Sequence, residues 1–109
     1  MTDEQNSIKQ LKTEFNRAMK TTCEEGVKKG YYPTYFLQML YQYGGVETAK
    51  KLLAKQEVQT GLMRLYELGL LDSSMEAYVI KEHYRPLFTE EEYKEARRRL
   101  TELDYFGKI

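Results

Sequence analysis

With 109 residues, 41% of them hydrophobic, 31% charged and only two prolines, the sequence has the composition of one folded domain, which argues against disorder and leads us to expect no second domain. Seventeen Lys and Arg balance seventeen Asp and Glu, so no global field holds a polyanion, and any nucleic-acid contact has to come from a local patch. The single cysteine, Cys23, excludes an internal disulfide and fits a reducing compartment; without a basic start or an apolar run near ~20 residues, the chain is expected to be cytoplasmic and to have no membrane partner.

From Ser7 to about Lys28, the residues Ile8, Leu11, Phe15, Ala18 or Met19, and Val27 recur at helical spacing among polar residues, which predicts an amphipathic first helix. Pro33 suits the first turn of a second helix reaching Tyr43, because proline has no amide hydrogen to lose there. Phe36, Leu37, Met39, Leu40 and Tyr43 give this helix a broad apolar stripe, which predicts a central position, and Gly44 closes it. A third helix, Val46 to about Lys55, sets Val46, Ala49, Leu52 and Leu53 against Glu47, Lys50, Lys51 and Lys55. A fourth, from a Thr60 cap to Leu68, points Leu62, Leu65 and Leu68 inward.

Ser73 and Glu76 have capping-box spacing and predict a fifth helix over about Ser74 to Glu82, although residues 77–80 also suit a buried strand. The last helix is the best marked. Thr89 and Glu92 form a capping box, Phe88 and Tyr93 have the spacing of a hydrophobic staple, and acidic residues at the start with Arg97, Arg98 and Arg99 near the end complement the helix dipole. Its buried stripe is Tyr93, Ala96, Leu100 and Leu103. The fold class is therefore all-α: about six helices in one compact domain, with a helix-turn-helix-like central pair, residues 1–30 being an amphipathic helix packed onto a module of residues 31–109. A winged helix, with residues 75–88 as its small β wing, is the alternative.

No catalytic or metal-binding pattern stands out. His83 lacks ligands at helical spacing and reads as a surface histidine, while Cys23 has no base beside it and reads as a small semi-buried side chain. The glycines match no phosphate-binding loop. The more unusual feature is ten tyrosines with no tryptophan, five of the ten lying in "YYPTYFLQMLYQY" between Tyr31 and Tyr43. Tyrosine combines large apolar area with a polar tip, which suits interfaces and stacking on bases, and also the rim of a small core. Three consecutive arginines on a helix point about 100° apart, so Arg97, Arg98 and Arg99 form no single phosphate-gripping patch and read as helix-end charge. Within the central pair, Lys50, Lys51, Lys55 and Arg64 face Glu47, Glu57 and Glu67, a thin surplus for a DNA reader.

The pattern "YYPTYFLQML", "YGGVETAKKLL", "GLMRLYELGLLDSSMEAYVI" and "YRPLFTEEEYKEARRRL", over residues 31–100, resembles a widespread bacterial helical module of uncharacterised activity. That module occurs alone or attached to nuclease-like and restriction-associated proteins, which implies an accessory role related to nucleic acid or defence. Where its members carry tryptophan, this chain has Tyr66 and Tyr84, a replacement that keeps an aromatic. The first thirty residues lie outside the resemblance.

The sequence thus predicts a non-catalytic binding or accessory module without cofactor or metal, whose partner is a protein or a nucleic acid. The residues expected to make the contact are Lys50, Lys51, Lys55, Arg64, Tyr31 and Tyr35. A helix-turn-helix DNA-binding protein is the second expectation, and an enzyme working through carboxylates and His83 a distant third.

Overall fold

The computed structural model describes residues 3–55 and 60–107, and within them the protein is helical with no strand. Six α-helices follow one another: α1 (Asp3–Lys28), α2 (Thr34–Tyr43), α3 (Gly45–Leu53), α4 (Thr60–Glu67), α5 (Met75–Val79) and α6 (Glu90–Glu102). Two 3₁₀ segments, Leu71–Ser73 and Glu82–Leu87, flank α5. The region proposed as a wing is α5 and the 3₁₀ segment after it, so the winged-helix alternative is set aside. Among the described residues, no helix is long and apolar enough to cross a membrane.

At 26 residues, α1 is the spine of the domain, and α2, α3, α5 and the Glu82–Leu87 segment all pack along it. Phe15 and Met19 are fully buried on its inner face. Phe15 stands edge-on to Tyr84 and to Phe88, both with ring centroids at 5.2 Å, an arrangement that adds to the area these rings remove from water. Val46, Ala49, Leu52 and Leu53 of α3 complete the centre as their spacing predicts, with Ala96 and Leu100 of α6 closing it. Leu62 and Leu65 of α4 are buried as well, while α4 lies chiefly against the Leu71–Ser73 turn.

Local signals place most helix ends. Thr89 and Glu92 make the expected capping box, each side chain accepting from the other's backbone N–H, at 3.1 and 2.8 Å. Pro33 stands one residue before α2 rather than inside it. The side chain of Thr60, expected to cap α4, lies outside the described part of the structure. The capping box expected from Ser73 and Glu76 is not formed: Ser74 caps α5 by accepting from the N–H of Ala77 at 3.1 Å, and Ser73 instead donates to Glu25 of α1. The 3₁₀ turn shifts the helix start by one residue and sends Glu76 inward. Ser74→Ala is accordingly expected to cost about 1 kcal/mol in urea denaturation, and Ser73→Ala clearly less, the reverse of the order that the sequence pattern implies.

The breadth of the apolar stripe on α2 misleads. Only Met39 and Leu40 are buried, whereas Leu37 and Tyr43 are about two-fifths exposed and Tyr41 is 97% exposed, so α2 is a peripheral helix with apolar residues on both faces. Val27, read as part of the buried stripe of α1, is also exposed.

Candidate functional site

Because α2 turns only a narrow face to the core, it stands as a ridge between two clefts. On one side, a cavity of about 430 Å³ is walled by Tyr31, Tyr35, Phe36, Leu62, Leu65 and Met75. On the other, a groove of about 760 Å³ runs between α1 and α2, with Asn16, Lys20 and Lys28 on one wall and Leu37, Leu40 and Tyr41 on the other. Both volumes lie in the range of small-molecule-binding clefts, roughly 300–1,000 Å³.

The residues singled out from sequence divide among these surfaces. Tyr31 is half-buried in the cavity wall, and burial, with the Cys23 thiol beside it, raises the pKa of its phenol. Tyr35 lies at the same cavity with its ring exposed. Lys55 donates to the Tyr35 hydroxyl at 3.1 Å and stands over that ring, 5.2 Å from its centroid. One turn back, Lys51 lies 4.5 Å above the ring of Tyr43. Two separate cation–π pairs, Lys51 on Tyr43 and Lys55 on Tyr35, thus mark a strip where α3 and the residues just past it run beside α2, each contact worth ~0.5–1 kcal/mol at such exposure.

Lys50 and Arg64 do not belong to this strip. Lys50 turns to α6 and pairs with Glu92 at 2.8 Å, also approaching the Phe88 ring. Although burial alone would raise the pKa of the Glu92 carboxyl, Lys50 and Thr89 hold it below its ordinary value. Arg64 is exposed on α4 and meets Glu67 at 3.4 Å. The four basic residues of the central pair thus point to three different places.

His83 is on the surface as expected, with Nε2 at 2.7 Å from the Glu14 carboxylate. Cys23 is buried, and desolvation, helped by the nearby Glu24 carboxylate, pushes its pKa up to about 11, which keeps the thiol protonated at neutral pH. Among the described residues, no group of three or more His, Cys, Asp or Glu side chains is placed to hold a metal ion.

Arg99 and Glu76 were missed by the sequence reading. The guanidinium of Arg99 is buried rather than serving as helix-end charge: Nε donates to Glu95 at 2.6 Å, Nη1 to Glu76 at 3.2 Å, and Nη2 to the carbonyls of Leu52 and Lys55 at 3.0 and 2.8 Å. It ties α6 to α5 and to the chain at and just past the end of α3. Compared with known proteins, the chain matches no family model, no curated protein and no solved structure.

Proposed function

We propose that the chain is a non-catalytic helical binding module whose partner is a protein and whose contact surface centres on α2. The observation that carries this reading is the composition of that helix. Its ten residues, "TYFLQMLYQY", include no charged side chain, yet Tyr35, Leu37, Tyr41 and Tyr43 are exposed. Protein interfaces are depleted in charge at their centre and enriched in tyrosine and methionine, and a solvent-facing helix with no partner has little reason to lack lysine and glutamate entirely. Lys51 and Lys55 supply a polar rim beside it. The resemblance to a bacterial module found beside nuclease-like proteins supports an accessory role in an assembly that acts on nucleic acid. Against direct reading of DNA by the central pair, Lys50 and Arg64 are engaged with Glu92 and Glu67.

A photo-reactive p-benzoylphenylalanine placed at position 41 in the native host tests this directly. One discrete protein adduct, unchanged by nuclease treatment, is expected there, and none from the same group at exposed position 94 on α6. Adducts trimmed by nuclease would assign the surface to nucleic acid, and failure to capture a protein from any exposed position of α2 would end the proposal.

A further inference from the structure

The groove between α1 and α2 has two unlike walls, and the difference specifies what fits it. On α1, Lys12, Asn16, Lys20, Glu24 and Lys28 follow at intervals of four, a row that winds about 40° round the helix per step and lines the groove from Asn16 to Lys28. From Asn16 to Lys28 the groove-lining part spans about 18 Å at 1.5 Å per residue. Lys9 and Arg17 flank it. All five cations are exposed, and none makes an ion pair among the described residues, where Glu14 is taken by His83 and Glu25 by Ser73. The opposite wall is uncharged: Leu37 and Tyr41 of α2 face the cleft, and Val27 of α1 adds apolar surface between them.

We infer that this groove receives an acidic amphipathic helix of a partner protein, the inference resting on the reading of the chain as a protein-binding module. An apolar stripe about three turns long would cover Val27, Leu37 and Tyr41, as in helix-in-groove recognition. Lys20 and Lys28, the cations that line the groove, lie eight residues apart, about 12 Å along the helix. Carboxylates repeating every seven or eight residues along one edge of the incoming helix match them. Glu24, midway between the two lysines, opposes a carboxylate placed there and so favours one register over a slide by half a repeat. A nucleic acid would stack on Tyr41 at most and leave Leu37 and Val27 uncovered, and a second copy of the chain would bring its own α1 cations to the same row, where like charges repel.

The test uses the full chain and three fluorescein-labelled peptides of twenty residues. The first carries leucines on one helical face bordered by glutamates, the second has the same composition shuffled out of helical period, and the third replaces each glutamate by lysine. The first is expected to bind at low salt at least about tenfold tighter than the others, with NMR shift changes confined to residues 12–28 and 37–44. The double substitution Lys20→Glu and Lys28→Glu is expected to lose about tenfold or more for the first peptide, the scale of a lost close charge pair across an interface, and to gain affinity for the third. Leu37→Ser weakens both. Each altered side chain is exposed, so the helical circular-dichroism spectrum stays unchanged and serves as the folding control.

Equal binding of the shuffled peptide, shift changes elsewhere, no binding of the first peptide, tighter binding of a twenty-nucleotide oligo-dT, or concentration-dependent self-association through the groove would each overturn the inference. A protein adduct at position 41 that is insensitive to the two charge reversals would overturn this inference alone. Absence of any adduct along α2 would remove the module reading beneath it.

Discussion

Arg99→Ala is expected to cost about 3–5 kcal/mol, the scale for removing one partner of a buried ion pair, and so a large share of the ~5–15 kcal/mol that holds a domain of this size folded. The loss follows from what is left behind. Glu76 is 4% exposed and would remain as an uncompensated buried carboxylate, and the carbonyls of Leu52 and Lys55 would each lose a charged donor. Lysine cannot stand in, because a single ammonium does not reproduce the planar fork that reaches four acceptors on three sides, so Arg99→Lys recovers little. The neighbouring Arg98 is the internal control. Its pairs with Glu95 and Glu102 are solvent-exposed, and Arg98→Ala should cost under about 1 kcal/mol. Equal midpoints for the two variants in urea denaturation followed by circular dichroism would contradict the assignment of Arg99 as the hub.

The same cluster has an acid signature. Hydrogen bonds from Arg98, then from Arg99, hold the Glu95 carboxyl down to about 2, below its ordinary 4.5. A folded value below the unfolded one means that the stabilisation is complete above pH 4.5 and drains away as pH falls toward 2. Burial shifts Glu76 the opposite way, so its contribution is present at low pH and is lost as pH rises through its raised folded value. Glu95→Gln removes the first dependence and leaves the second, so its thermal midpoint should fall less steeply between pH 4.5 and 2 than that of the unaltered chain.

This cluster marks where the sequence stops being readable. Helices with a single wet face were legible because their periodicity is local, and so was the Thr89 and Glu92 box, whose two halves lie three residues apart. The role of Arg99 depends on a carboxylate 23 residues away and carbonyls 44 and 47 residues away, and a run of three arginines on an amphipathic helix gives no hint of which one turns inward. The cap of α5 failed for a related reason: either of two adjacent serines can cap, and with Ser74 as the cap Glu76 faces Arg99, a partner 23 residues away, instead of a cap. For α2, the error was one of interpretation. An apolar stripe reports that a face avoids water, not whether the domain's own core or another molecule covers it. Of the contact residues read from sequence, Lys55 meets Tyr35 whereas Lys51 lies on Tyr43, eight residues further along α2, and Lys20 and Lys28 of α1 give no local sign because they become one side of a groove only where α2 lies beside them.

The second large effect is expected at Gly45, and it distinguishes two adjacent glycines that look interchangeable in "YGGVETAK". A Cβ on Gly45 would lie 2.8 Å from the Cα and 3.2 Å from the N of Asn16, and 3.3 Å from the Phe15 ring. The first two are backbone atoms of α1 that no rotamer change can move, so α1 and α3 have to separate. Separation also stretches the 3.0 Å bond from the Gly45 N–H to the Asn16 side chain and loosens the packing around Phe15. Gly45→Ala should therefore cost about 2–3 kcal/mol, the upper part of the overpacking range. At Gly44 nothing lies within 4 Å of the added carbon, and the obstacle is conformational: φ of +83° and ψ of 171° fall in a region essentially reserved for glycine. Gly44→Ala then costs about 1–3 kcal/mol by backbone strain alone, with the α1–α3 contact intact. Stability measurements alone do not separate these origins, but the ring signals of Phe15 and Tyr84 do, since they report the spacing of α1 against the core. They should move in Gly45→Ala and stay in place in Gly44→Ala. If both variants move them alike, the close approach of α3 to α1 is not what requires glycine at position 45, and the joint between α2 and α3 would have to be acting as one unit.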